Sequence, residues 1–207
     1  MKITDFKVKG SVEMSQFETE LVIPAAKEKL RKIRRKISQH QNAMYAEAKY
    51  NVLICLQGMD TSGKDSLIRE VFKDVNTSGV VVHSFKTLTT NELKHDFLWR
   101  HYVALPVKGK IGVFNRSHYE NVLFTRVHPQ FLLRENIPSI QTVNDVNDEF
   151  FYERMKRINQ FERHLTKNGT IVLKFFLNIS KEEQKHRLLR RLKYQEKNWK
   201  FSDSDLK

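Results

Sequence analysis

At 207 residues and 40% hydrophobic content, the chain is long enough for one domain that buries about 70% of the surface its unfolded form exposes. Lys and Arg total 37 against 24 Asp and Glu, a formal charge of +13 that calls for an anionic partner: nucleic acid, an anionic membrane surface or an inorganic polyanion. The lone cysteine, Cys55, excludes an intrachain disulfide, no run nears the roughly 18 apolar residues of a membrane span, and residues 1–10 are too charged for a secretory signal, so the chain reads as cytoplasmic.

Residues 1–22 alternate weakly and carry no usable signal. Pro24 is placed to open a long helix, with Leu30, Ile33, Ile37, Met44 and Ala48 on one apolar stripe and the basic run of residues 31–36 mostly outside it. That run is compatible both with tracking a polyanion and with a solvated face. An apolar strand over residues 52–56 then leads into Gly58-Met-Asp-Thr-Ser-Gly63-Lys64-Asp65, and a helical pattern follows over residues 67–72. Strand, glycine loop and helix opening on lysine form a phosphate cradle: the glycines let the backbone approach, its N–H groups face the anion, and Lys64 adds a point charge. Asp65 stands where a magnesium-binding Ser or Thr is usual, and Asp60 places a second carboxylate inside the loop. A carboxylate ~4 Å from a phosphate charge is repelled by about 4 kcal/mol at an effective dielectric of 20, so a bridging metal or a handled proton must offset it. Asp60 also reads more plainly as an N-cap for the helix.

Residues 76–79 read as a turn and residues 80–85 as a second strand. Thr90 or Asn91 caps a helix through Tyr102, with Leu93, Phe97 and Leu98 turned inward, and Pro106 and Gly109 end that unit. A third strand, residues 111–114, runs into Asn115-Arg116-Ser117-His118-Tyr119-Glu120, polar residues at the C-terminal edge where open parallel sheets hold their ligands. Arg116 and Glu120 read alternatively as a structural ion pair. Residues 128–141 read as a loop. A helix over residues 144–167 packs through Phe151, Met155, Ile158, Phe161 and Leu165 and ends at Asn168-Gly169. A fourth strand spans residues 171–177, and Ser180 with Glu183 opens a helix carrying Arg187, Arg190, Arg191, Lys193 and Lys197. The scattered His83, His95, His101 and His118 lack metal-ligand spacing, so no zinc site is expected. Strand and helix alternate throughout, which predicts an α/β domain with a parallel sheet and helices on both faces. The helix-start residues Ser202 to Asp205 have no helix behind them, which reads as a C-terminally truncated chain.

The stretches Gln57 to Asp65, Asn91 to Arg100, Gly112 to Glu120 and Lys197 to Ser202 together resemble the type-2 polyphosphate kinase family, most closely its class III branch, which accepts AMP as well as ADP. The resemblance implies a three-layer P-loop-kinase-like fold with a basic helical lid: an N-terminal extension and long helix over residues 1–50, a core over 51–179 and the lid over 180–207. It implies phosphoryl transfer from inorganic polyphosphate to AMP and ADP, with GMP and GDP as further acceptors and Mg2+, or Mn2+ in its place, as cofactor. It also implies homo-oligomers and no nucleic-acid or membrane partner.

Carried over by position, Asp60 would align the acceptor phosphate and hold the metal, Lys64 would hold the transferring group, and Arg116 and Glu120 would complete the catalytic set. Gly58, Thr61, Ser62, Gly63, Asp65, Ser66, Asn115, Tyr119 and Arg126 would bind phosphate or nucleotide, with Arg187, Arg191 and Lys197 in the lid on the polyphosphate. Ser66 replaces a usual glycine, Asn121 a common aspartate, and Lys193, Tyr194 and Gln195 an acidic pair and proline. Two rivals remain. An ATP-dependent nucleotide kinase would want Ser or Thr at position 65, and a nucleic-acid-binding protein has no need of Asp60 or Asp65 beside phosphates.

Overall fold

Strand β1 (Asn51–Gly58) is the axis around which the other elements are laid. The structure, a computed structural model, describes residues 6–193. β1 pairs in parallel with β3 (Ile111–Asn115) on one side and β4 (Thr170–Leu177) on the other, and β2 (Val80–Ser84) lies outside β3, giving the order β2-β3-β1-β4. Because side chains alternate along a strand, β1 sends Leu53 and Cys55 to one face, where they meet Phe114, Ala104, Phe161 and Leu165. Leu56, with Val113 and Ile111, faces the other way against Met44, Leu67, Ile68 and Phe72.

Helices α1 (Ala26–Glu47) and α2 (Lys64–Val71) therefore cover one face, and α3 (Trp99–Val103) and α5 (Asp148–Lys167) the other. This is the expected three-layer α/β arrangement. β4 is an edge strand whose Ile171, Leu173 and Phe175 are exposed. Burial pushes the Cys55 thiol up to about 12, which leaves it a small inert core group. Among the described residues no helix is long and apolar enough to cross a membrane.

Five expectations need correction. The packed face of α1 is Leu30, Arg34, Ile37, Gln41 and Met44, while Ile33 is 51% exposed and Ala48 lies beyond the helix as its left-handed C-cap. Arg34 turns inward to bond the Glu70 carboxylate at 2.7 Å, and Gln41 occupies the space beside Gly79 that a Cβ there would fill. Pro24 sits in the preceding turn rather than in the first helical turn. The single helix expected to run to Tyr102 is instead a 3-10 turn, Glu92–Lys94, followed by α3. Thr89 is the residue that caps the turn, exchanging hydrogen bonds with Glu92, and Asp96 breaks the run by accepting from the Leu98 N–H at 2.9 Å.

The helix expected from residue 144 starts at Asp148 under an Asn147 cap, preceded by a separate 3-10 turn, Val143–Asp145, with its own capping box. The loop over residues 128–141 contains a 3-10 segment, Pro129–Glu135, that buries Leu132 completely. The residues 194–207, including Lys197 and the helix-start signal at Ser202 to Asp205, lie outside the described part.

Helix α5 holds the segment after β3 at two points. Arg154, 3% exposed, pairs with Glu135, donates to the Asn121 carbonyl at 3.0 Å and lies 4.4 Å from the centre of the Phe97 ring. Two turns later, Glu162 accepts from Tyr119 Oη at 2.8 Å and Lys174 Nζ at 2.7 Å, and lies 3.1 Å from His118 Nε2. Burial alone would push the Glu162 carboxyl up, but the bonds from His118, Lys174 and Tyr119 outweigh it and hold it at about 2.

Two stability predictions follow from this grip. Replacing Glu135 by Ala strands the buried Arg154 guanidinium and should cost about 3 kcal/mol, whereas Asp148→Ala, which breaks the exposed pair with Arg126, should cost under about 1 kcal/mol. Urea denaturation of both variants checks this, and equal losses would contradict it. A carboxyl lowered from 4.5 to about 2 lends stability that is present above its unfolded value and lost as pH falls through that window. Wild type should therefore lose more urea resistance than Glu162→Gln when pH drops from about 6 to about 3. Parallel losses would count against it.

Candidate active site

The phosphate loop closes on its own lysine. β1 ends at Gly58, where a Cβ would lie 2.7 Å from Ser62 Oγ and 2.9 Å from the Leu177 carbonyl, so only glycine allows the chain to turn here. Thr61 and Gly63 take left-handed conformations, with φ of 62° and 100°, and the Ser62 N–H bonds the Met59 carbonyl at 3.1 Å. Lys64 opens α2 and folds back, donating to the Gly58 and Met59 carbonyls at 2.8 and 3.1 Å. Burial, then the neighbouring Arg116 guanidinium, pushes the Lys64 ammonium below its ordinary 10.5, against the pull of Asp60, Glu120 and Asp65. The groups expected in the catalytic set thus act on one lysine.

Both loop carboxylates are engaged by polar partners. Asp65 Oδ1 accepts from Asn115 Nδ2 at 2.6 Å, tying α2 to the end of β3. Asp60 does not cap the helix opened by Lys64: its Oδ2 pairs with Arg191 Nη1 at 2.8 Å, from helix α6 (Lys181–Lys193). The same helix sends Arg187 to the Thr61 carbonyl at 3.0 Å, braced by Glu183 at 2.6 Å, and Gln184 to the Asp60 carbonyl at 3.3 Å. Ser180 Oγ caps the start of α6 by accepting from the Glu183 N–H at 3.1 Å, and α6 lies over the loop with Arg187 and Arg191 turned toward it and Arg190 exposed.

Beyond β3, Arg116 takes a left-handed φ of 62° and its guanidinium stands 3.8 Å from Glu120, the first residue of α4 (Glu120–Val127). Arg116, Ser117, Glu120 and Asn121 line a cavity of about 130 Å³ whose other walls are Phe85, Arg100, Phe124 and the 3-10 segment at Phe131 to Glu135. His101, also at its wall, is kept neutral: burial, His118 and Arg100 push its imidazole down to about 2.

Tyr119, Arg126 and Ser66, expected at the site, do not line the cavity. The Tyr119 hydroxyl turns away into Glu162 and Lys174, and Arg126 reaches Asp148 at 2.5 Å, far along α4. Ser66 is exposed on α2. Phe85, Arg100, Asn121 and Phe124 were missed as cavity residues: they come from three segments, after β2, on α3 and on α4, and no spacing in the sequence links the three. Among the described residues no group of three or more His, Cys, Asp and Glu side chains gathers to hold a metal.

Comparison with known proteins gives this arrangement a context. Residues 23–207 match the sequence profile of the family described as Polyphosphate kinase 2. An ADP-polyphosphate phosphotransferase of Rhodopseudomonas palustris is 46% identical over 171 residues, 83% of this chain and 58% of the relative. An AMP/ADP-polyphosphate phosphotransferase of Meiothermus ruber is 45% identical over 182 residues, 88% of this chain and 62% of the relative. The chain thus spans about three-fifths of the length of these curated relatives. The crystal structure of Polyphosphate Kinase 2 from Arthrobacter aurescens superposes with a TM-score of 0.85 at 33% identity, covering 98% of this chain and 70% of that one. With the profile running through the phosphate loop, the cavity segment and the arginine-bearing helix alike, the chain belongs to the polyphosphate kinase 2 family.

Proposed function

We propose that the protein transfers phosphoryl groups from inorganic polyphosphate to AMP and ADP, with GMP and GDP as further acceptors. The observation that carries this reading is the pairing of a carboxylate inside the phosphate loop, Asp60, with an arginine of the overlying helix, Arg191, at 2.8 Å. A loop that merely bound an anion would gain nothing from that carboxylate. The activities named for the Rhodopseudomonas and Meiothermus relatives support the choice of donor and acceptors. A homo-oligomeric, cytoplasmic enzyme is part of the same proposal.

The donor set around the loop fits magnesium, or manganese in its place. Asp60 and Asp65 offer carboxylate oxygens without forming a complete protein cage, and magnesium is commonly held by one or two carboxylates with substrate phosphates and water. Bound there, the ion would neutralise charge on the phosphates. The acceptor nucleotide would enter the cavity, its base against Phe85 and Phe124 and its phosphates toward Arg116.

In the transfer, an oxygen of the acceptor's terminal phosphate bonds to the donor's terminal phosphorus. The anhydride P–O bond breaks, and its electron pair leaves with the shortened polyphosphate. The protein's part is positioning and charge neutralisation, the main contributions that phosphoryl transfer requires. Asp60 orients the acceptor phosphate, Lys64 and Arg116 hold the transferring group, and Arg187 and Arg191 move from the loop onto donor phosphates.

Phosphorus NMR on the chain with AMP or ADP, magnesium and long-chain polyphosphate should show ADP and ATP appearing, with ATP a poor substitute for polyphosphate as donor. Asp60→Asn should lower turnover by about 100-fold or more while leaving the melting temperature near that of wild type. Absence of transfer in every combination overturns the assignment, and wild-type rates in the Asp60 variant overturn the role of its carboxylate.

A further inference from the structure

Between Arg116 and Glu120, which both line the cavity, the chain turns two side chains the opposite way. His118 is completely buried, and with Tyr119 it converges on one oxygen of Glu162, at 3.1 and 2.8 Å. Lys174 from β4 closes the cluster, donating to the other Glu162 oxygen at 2.7 Å and to the Tyr119 hydroxyl at 3.0 Å. Glu162 itself is set rigidly in α5, flanked by the buried Ile158, Phe161 and Leu165.

The cluster lends stability through Glu162, but desolvating its charged groups offsets part of what their pairing returns. Its neighbour offers a reason for it. Arg116 is a long side chain on a left-handed backbone, φ 62°, a conformation that persists only where the surroundings over-determine it. The next residue, Ser117, is fully buried, and its hydroxyl and carbonyl bond the Tyr119 and Glu120 N–H groups at 3.4 and 3.0 Å. The segment that follows Arg116 is thus held by its own turn at Ser117 and, from the side away from the cavity, through His118 and Tyr119.

We propose that Glu162 is a positioning residue: through His118 and Tyr119 it clamps the segment carrying Arg116, and so sets the affinity of the cavity for the phosphates of a nucleotide. This rests on the reading of the cavity as the acceptor site. Glu162 touches no substrate, and its effect passes entirely through the placement of Arg116.

A double-mutant cycle separates this role from general stabilisation, because residues acting through one another do not add. ADP and tripolyphosphate binding are measured by calorimetry for wild type, Glu162→Gln, Arg116→Ala and the double variant of the full chain. Glu162→Gln should weaken ADP binding about fivefold in the wild-type background and less than about twofold in the Arg116→Ala background. Should Glu162→Gln fail to fold, Tyr119→Phe takes its place in the cycle, with a loss of about threefold that likewise vanishes in the Arg116→Ala background. Equal losses in both backgrounds, or no loss in either, overturn the positioning role while leaving the acceptor-site reading intact. A wild-type chain that binds tripolyphosphate but not ADP, or neither, removes the acceptor-site reading and this inference with it.

Discussion

The pair between Asp60 and Arg191 is the interaction on which the site depends. A phosphate loop is built to attract anions, and a carboxylate inside it opposes that purpose unless a cation stands beside it. At 2.8 Å, Arg191 supplies the cation and draws α6 down over the loop, where Arg187 adds a second tie to the Thr61 carbonyl. Lys64 is satisfied in the same way by the Gly58 and Met59 carbonyls. In this closed form each charged group holds a partner that an incoming phosphate or metal ion must replace, so binding becomes an exchange of partners. The excess of basic residues makes that exchange favourable when the incoming partner is a polyanion.

The sheet makes the exchange possible by bringing three chain segments to one edge. Parallel pairing of β1 with β3 sets Leu56 beside Asn115, so the phosphate loop and the Arg116 segment leave the sheet side by side. Asn115 then bridges them by donating to Asp65 at 2.6 Å. Left-handed residues at Thr61, Gly63 and Arg116 bend both segments sharply at that edge. The core beneath absorbs the cost, since Leu53, Val113 and Phe114 are wholly buried and leave the strands no freedom to shift.

Much of this is legible in the sequence. Apolar runs bounded by glycine, proline and polar turns marked the strands, because buried parallel strands carry little else. The glycine loop was legible because phosphate binding demands a particular backbone, and that demand writes Gly58 and Gly63 into the sequence. What stayed hidden was polar burial. The apolar spacing on α1 includes Ile33, yet Arg34 turns inward to Glu70, and Gln41 to a space left by the missing side chain of Gly79, both on distant segments. Asp96 broke an apparently continuous helix by a local hydrogen bond that competes with the helical one. Glu162 lies between the apolar positions of α5 and gives no signal in the sequence, because His118, Tyr119 and Lys174 reach it from two distant segments. Motif position likewise puts Tyr119 and Arg126 among the site residues, and it does not show that their side chains find polar partners on α5 and β4.

The most direct measurement is the affinity of the chain for Mn2+ in the presence of tripolyphosphate, read from the paramagnetic signal of the free ion. If Asp60 trades Arg191 for a metal ion as phosphates arrive, Asp60→Asn weakens Mn2+ binding by at least about tenfold, and Arg191→Ala does not weaken it to that degree. Undiminished Mn2+ affinity in Asp60→Asn would contradict the account, because the carboxylate would then serve only to anchor the overlying helix.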